Sequence, residues 1–148
     1  MKTTGTISDI LTQKGREVWS IDPQLTVYEA IQLMADKNVG ALLVMSGTRL
    51  QGVISERDYT RKVALQGKSS KQIRVEEIMS KALYTVTLHH TVEACMRLMT
   101  ENRVRHLPVL EGDQVIGVVS IGNLVNWIIT TQHATISHLE DYISGKYL

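Results

Sequence analysis

Gly52-Val53-Ile54-Ser55-Glu56-Arg57-Asp58 is answered, sixty-five positions later, by Gly117-Val118-Val119-Ser120-Ile121-Gly122-Asn123. Each copy reads as a β-branched strand that stops at a serine and turns into a helix, leaving unpaired backbone N–H groups beside a short polar side chain. A helix start of this kind can hold an anion or a hydroxyl. Two of them in 148 residues make an internal repeat the organising hypothesis.

Working outward, the same order of elements surrounds both copies. In the first, Val18-Trp19-Ser20-Ile21 reads as a short strand and Asp22-Pro23 as a breaker. Thr26 is the N-cap of a helix whose apolar residues Val27, Ala30, Ile31 and Met34 fall on one face. Ala41 to Met45 is an apolar strand, Ser46-Gly47-Thr48 a turn, and Leu50 to Ile54 a strand leading into the serine turn. A helix through Tyr59, Lys62 and Val63 follows, stopping near Gly67.

In the second copy the strand Leu83-Tyr84-Thr85-Val86 precedes a helix carrying Val92, Cys95, Met96 and Met99. Strands Leu107 to Leu110 and Val115 to Val119 flank the turn Glu111-Gly112-Asp113. At the same offset Thr26/Thr91, Val27/Val92, Leu33/Leu98, Met34/Met99, Val39/Val104, Leu42/Leu107, Val44/Val109, Gly47/Gly112, Gly52/Gly117, Val53/Val118 and Ser55/Ser120 are identical. The lead-ins Ile7-Ser8-Asp9-Ile10-Leu11 and Val75-Glu76-Glu77-Ile78-Met79 also correspond, at a slightly larger offset. Gln66 to Lys71 reads as a polar, flexible link. Each half is marginal alone, so the two apolar faces are expected to pack as one pseudo-symmetric body. Beyond the repeat, Leu124, Val125, Ile128, Ile129, Ile136, Leu139 and Ile143 continue a helical stripe toward Gly145, which invites a partner helix from a second copy.

Composition narrows the classes. Apolar residues make up 43% of the chain, enough for a core, and 16 basic against 15 acidic residues argue against a nucleic-acid or membrane surface. The longest apolar run, Val39 to Met45, is too short to span a bilayer, and Met1 to Thr6 is polar rather than a signal segment. A single cysteine, Cys95, excludes an internal disulfide and fits a reducing compartment, the cytoplasm by default.

Candidate chemistry concentrates in three places. Ser55 with Asp58 is a capping box in one reading and a ligand site in the other, where Gly52 lets a ring approach backbone and Asp58 accepts two hydrogen bonds from a ribose diol. Asn123 replaces the acid in the second copy, an uncharged and weaker acceptor. Arg103-Val104-Arg105-His106 is the one dense basic cluster, read either as a solvated helix end or as a phosphate site. A phosphate there would raise the His106 pKa, making affinity greatest at low pH. His89-His90 lacks partners at metal-ligand spacing, and Cys95 lies on an apolar stripe as a buried thiol. Met34, Met79, Met96 and Met99 read as core, and Trp19 and Tyr84 as core with base stacking as the lesser option. No nucleophile–base arrangement, phosphate loop or G-x-G-x-x-G is present.

Taken together, Gly52 to Asp58 with its near match, Thr91-Val92-Glu93-Ala94 and Arg103 to Val109 resemble a tandem pair of CBS domains, a Bateman module. The tail His138 to Ile143 resembles that of stand-alone CBS-pair proteins. The resemblance implies a mixed α/β fold, α+β or α/β in class, of two β-α-β-β-α repeats packed through their sheets. The first repeat spans 7–67, the second 68–129, and a helical extension 130–148.

It further implies a non-enzymatic regulatory sensor that binds AMP, ADP, ATP, NAD or S-adenosylmethionine in clefts between the repeats, with no catalytic cofactor and no metal. In the stronger cleft Ser55 and Asp58 would hold a ribose, Arg105 and His106 the phosphate, Arg57 would stand close to both, and adenine would lie near Leu83 and Leu107. The weaker cleft would pair Ser120 and Asn123 with Lys14, Val18, Gly40 and Ala41. A homodimer and a regulated protein partner are also implied. The rival from the same residues is a ligand-independent dimeric interaction module, with both serine turns as caps and the basic cluster docking an acidic protein.

Overall fold

The computed structural model describes residues 5–143, with side chains to residue 132. The chain divides into two compact units, one of Glu17–Tyr84 and Gly112–Ile116, the other of Met1–Arg16, Thr85–Glu111 and Gly117–Leu148. The repeats therefore fold with exchanged lead-ins: the segment that precedes the first repeat belongs to the unit of the second, and 75–79 belongs to the unit of the first. The expected second half of the C-terminal stripe, Ile136, Leu139 and Ile143, lies outside the described side chains, and Gly145 outside the described residues.

In the first-repeat unit, β1 (Ser20–Ile21) pairs parallel to β2 (Ala41–Ser46), and β2 pairs antiparallel to β3 (Arg49–Ser55). The crossover between the parallel strands is α2 (Val27–Lys37), the long connection that parallel pairing requires. Thr26 caps α2 with a full capping box: Glu29 N donates to Thr26 Oγ1 at 3.2 Å and Thr26 N donates to Glu29 Oε2 at 3.0 Å. Asn38 ends the helix in the left-handed region. The apolar face of α2, through Val27, Ala30 and Met34, joins Leu42, Val44, Ile54, Val63, Val75 and Ile78 in one buried core.

β3 passes at Ser55 into α3 (Glu56–Tyr59), and the turn then widens into a π-helical segment, Thr60–Ala64. Sequence periodicity predicts a plain helix here. The Thr60 hydroxyl bonds back to Glu56 O at 3.1 Å, a contact that loosens an α-helical turn, and Leu65 N then reaches Thr60 O at 3.0 Å. The expected flexible link after it is tied down: Lys68 N bonds Val63 O and Tyr28 N bonds Ser70 O, both at 3.0 Å. A cavity of about 550 Å³ opens beside it, lined by Gly67, Lys68, Ser69, Gln72, Ile73, Glu77 and Ile78, none of them a predicted site residue. α4 (Val75–Ile78) completes the unit.

The second-repeat unit contains α1 (Ile7–Lys14), α5 (Val92–Asn102), β4 (His106–Glu111), most of β5 (Gln114–Ser120) and α6 (Ile121–Ile143). Its likeness to the first is residue by residue. β4 has the burial pattern of β2 and β5 that of β3, while Arg103 takes the left-handed cap position of Asn38 and Gly112 the positive φ of Gly47.

One expected element is reduced. The strand Leu83–Val86 shrinks to a single parallel bridge, Val86 to Val109. Its counterpart β1 gains a rung because Leu43 N donates to Trp19 O at 3.1 Å, but Pro108 stands where Leu43 does and has no N–H to give.

The exchanged lead-ins are held by matching bonds. Ile7 N reaches His90 O at 2.9 Å and Val92 N reaches Gly5 O at 3.1 Å. Likewise Val75 N reaches Leu25 O at 2.8 Å and Val27 N reaches Ile73 O at 2.9 Å. Both lead-ins end against the glycine that opens the repeated motif. A Cβ on Gly52 would stand 2.6 Å from Ser80 O, beside Met79, and one on Gly117 would stand 2.9 Å from Leu11 Cδ1. The space beside Gly52, expected to admit a ring, is thus filled by protein, which corrects that reading.

These two glycines make a paired prediction. Gly52→Ala presses on a backbone carbonyl that is itself bonded to Val53 and should cost about 1–3 kcal/mol, the range for overpacking. Gly117→Ala meets the end of a flexible leucine and should cost clearly less. Urea denaturation of the two variants compares them, and equal losses would contradict the geometry.

Candidate functional site

The first serine turn is a closed capping box. Asp58 N donates to Ser55 Oγ at 3.2 Å, while Ser55 N and Ser55 Oγ both donate to Asp58 Oδ2, at 2.9 and 3.0 Å. The other carboxylate oxygen, Oδ1, pairs with Lys62 Nζ at 3.1 Å, and the same ammonium donates to Ile78 O at 2.8 Å. Glu56 N, the first free donor of the helix, bonds Gly40 O at 3.0 Å. This one unit thus holds Ser55, Arg57, Asp58, Leu83, Val18, Gly40 and Ala41 of the predicted residues. Arg57 and Gly40 are exposed, the others half-buried or, at the turn, partly covered. Trp19 packs against the core, and Lys37 Nζ lies 4.4 Å from its ring centroid, a cation–π contact on a face considered for base stacking.

The second turn repeats the backbone and changes the chemistry. Asn123 N donates to Ser120 Oγ at 3.1 Å and Ser120 N donates to Asn123 Oδ1 at 2.8 Å. Ile121 N bonds Arg105 O at 2.8 Å, the counterpart of Glu56 to Gly40. The start of β4 is therefore held beside its own repeat's serine turn. Lys14, at the end of α1, donates to Val118 O at 2.6 Å.

Three basic groups meet in this unit. His106 is half-buried, and its pKa is lowered by burial first, then by the charges of Lys14 and of Arg105. Burial lowers the Lys14 pKa as well. Lys14 was expected with Asn123 and the Arg105–His106 pair with Asp58; the fold brings Lys14 within electrostatic reach of His106. Arg103 separates from the cluster: it is exposed at the left-handed cap of α5, as the helix-end reading expects. Leu107 is fully buried.

Cys95 is buried, and burial pushes its thiol up to about 11, so it stays protonated in neutral solution. His90 Nδ1 bonds Thr87 N at 3.0 Å in a local turn, and among the described residues no group of His, Cys, Asp and Glu is arranged to hold a metal. No helix there is long and apolar enough to cross a membrane. Sequence reasoning passed over Lys62 as a site residue, although its position one turn after Asp58 is the signal for an ion pair. The Lys14 contact had no local signal, since its acceptor is a distant strand carbonyl.

Comparison with known proteins agrees with this architecture. The family model described as CBS domain matches residues 7–65 and 75–130. The solved structure of a protein with CBS domains from Burkholderia ambifaria MC40-6 is 47% identical, with a TM-score of 0.83 over 86% of this chain and 96% of that one. The mitochondrial CBS domain-containing protein CBSX3 of Arabidopsis thaliana is 41% identical over 152 aligned positions, covering 96% of this chain and 73% of the relative. The CBS domain pair of protein MJ0100, solved in complex with 5′-methylthioadenosine and S-adenosyl-L-methionine, shares the fold at 20% identity, with a TM-score of 0.73 over 84% of this chain and 95% of that one.

The basic group predicts a pH dependence of folding. With the folded His106 pKa below its ordinary 6.5, the unfolded chain binds more protons in the window between the two values. Stability should therefore fall as pH drops through about 6.5 and level off below the lowered value. His106→Gln should flatten that part of a chemical-denaturation profile, and an unchanged slope would show that His106 does not carry it.

Proposed function

The chain belongs to the CBS-domain family, and from that premise we propose that it is a regulatory module that binds an adenosine-containing ligand and carries out no reaction itself. The observation that carries this reading is the basic group. Burial discourages both Lys14 and His106 from holding a proton, and the positive charges of Lys14 and Arg105 act on His106 in the same direction. A phosphate there would offset the repulsion among these cations and favour their charged forms.

Asp58, the acid of the two turns, is assigned the ribose diol, with Ser55 and Arg57 beside it. Leu83, half-buried, offers apolar surface to the base, with Leu107, whose side chain is fully buried, behind it, and Arg105 and His106 take the phosphate. Ser120 and Asn123 with Lys14, Val18, Gly40 and Ala41 form the weaker position, because an amide replaces the carboxylate, and Lys14 is then shared with the basic group that takes the phosphate. The ligand class is AMP, ADP, ATP, NAD or S-adenosylmethionine. That a neighbour of this fold was solved with 5′-methylthioadenosine and S-adenosyl-L-methionine supports the class without choosing within it.

Regulation follows from differential affinity: a ligand that prefers one conformation shifts the population toward it and thereby changes what a protein partner meets. A second copy of the chain is proposed as a partner on the strength of Val125 and Ile129, exposed one helical turn apart on α6. A cytoplasmic setting goes with the lone cysteine, although the Arabidopsis relative is named as mitochondrial. The ligand-independent interaction module keeps one specific support, since Asp58 already has partners on both oxygens.

A thermal-shift panel of the five ligands separates the two readings. At 100 times its Kd a bound ligand should add about 2.7 kcal/mol, and a flat panel would leave the interaction module standing. Asp58→Ala should weaken the best ligand much more than Asn123→Ala, and equal losses would reverse the ranking of the positions. Binding of a phosphate ligand should strengthen as pH falls and weaken as pH rises through the His106 pKa of the complex.

A further inference from the structure

Lys62 touches both the acid of the serine turn and a second element. Its ammonium lies 3.1 Å from Asp58 Oδ1 and donates to Ile78 O, the last residue of α4, at 2.8 Å. Asp58 Oδ2 is meanwhile occupied by the capping box, which holds the turn itself. A diol arriving at Asp58 without breaking the helix start therefore has Oδ1 to compete for, and its competitor is Lys62.

We propose that Lys62 is an internal competitor for the Asp58 carboxylate, and that ligand occupancy is read into α4 when the ammonium is displaced. The proposal rests on the assignment of a ribose diol to Asp58. The energetic scale suits a release. The Lys62 side chain is 44% exposed and that of Asp58 17%, so the pair is partly open to water and the ammonium can return to solvent at modest cost. The far end of the contact is poised to respond. α4 has only four residues, and Ile78 stands two positions before Ser80, which exchanges two hydrogen bonds with Val53 on β3 at 2.8 and 3.1 Å. Moving Lys62 thus removes a support from a carbonyl close to the contact that seats the lead-in against Gly52.

The second repeat lacks both halves of the device. Asn123 replaces Asp58 and Trp127 replaces Lys62 at the same offset, so neither the ion pair nor the competition can arise there. Occupancy of the two turns would then have unequal consequences, and only the first would be read out through a lead-in.

Isothermal titration of the full chain with AMP, at low salt, tests the competition in the wild type, Lys62→Met, Lys62→Gln, Asp58→Ala and the Asp58→Ala/Lys62→Met double variant. Both Lys62 variants should bind AMP roughly two- to fivefold more tightly, the scale of an exposed ion pair. The gain should vanish in the Asp58→Ala background. Amide hydrogen exchange over 75–80 should quicken in unliganded Lys62→Met, and in wild type saturated with AMP. Weaker binding in Lys62→Met would make Lys62 a ligand contact instead, and unchanged binding or exchange would also overturn the proposal. If Asp58→Ala binds AMP like the wild type, the fault lies in the assignment of the diol. Absence of AMP binding in the wild type overturns the competition together with that assignment.

Discussion

The fold depends on two missing Cβ atoms. Gly52 and Gly117 occupy the same place in the two repeats, three residues before the serine, and each receives a lead-in closely, at Gly52 a backbone carbonyl and at Gly117 the end of a side chain. At Gly52 the intruder is the Ser80 carbonyl with Met79; at Gly117 it is Leu11. Because α1 docks on the second repeat and α4 on the first, neither unit is a continuous piece of chain. Each repeat lends the other the segment that covers its core, so a half cut at the sequence boundary would lose part of its own apolar cover. That is a physical reason for the repeats to occur as a pair in a chain whose halves are small for independent stability.

The serine turns show how a shared backbone can carry different chemistry. Both copies satisfy the same orphan donors in the same way, with the serine hydroxyl accepting from the residue three places on and the carbonyl of the residue just before a strand accepting from the first helical N–H. Geometry is therefore shared through hydrogen bonds that the amide oxygen of Asn123 accepts as the carboxylate of Asp58 does. That charge is free to differ between copies, and with it the surroundings: an ammonium from Lys62 in the first, an amide and a neighbouring set of partly desolvated cations in the second. The two turns are alike as structure and unlike as electrostatic sites.

Much of this was legible from residue order. The caps Thr26 and Thr91, the helical stripes of α2 and α5 and both hairpins sit where periodicity and turn chemistry place them, because each rests on interactions between residues close in the chain. What escaped the sequence involved distant partners. The strand expected at Leu83 is cut short by Pro108, twenty-odd residues away, and the link at Gln66 is tied by bonds to Tyr28 and Val63. The role assigned to Gly52 also changed, since a glycine looks the same in sequence whether a ligand or another segment of the same chain fills its space. Lys62 was readable in principle from its spacing to Asp58, while its bond to Ile78 was not.

By itself, the sequence determined that the protein is a duplicated unit with two serine-headed helix starts, one acidic and one not, because repetition, caps and charge are properties of residue order. Only the tertiary structure decided which lead-in serves which repeat, what fills the space beside Gly52, and that Lys14 joins Arg105 and His106. Those outcomes depend on distances between residues far apart in the chain. The apolar pattern that drives burial is nearly the same in both repeats and carries no label saying with which copy a segment must pack.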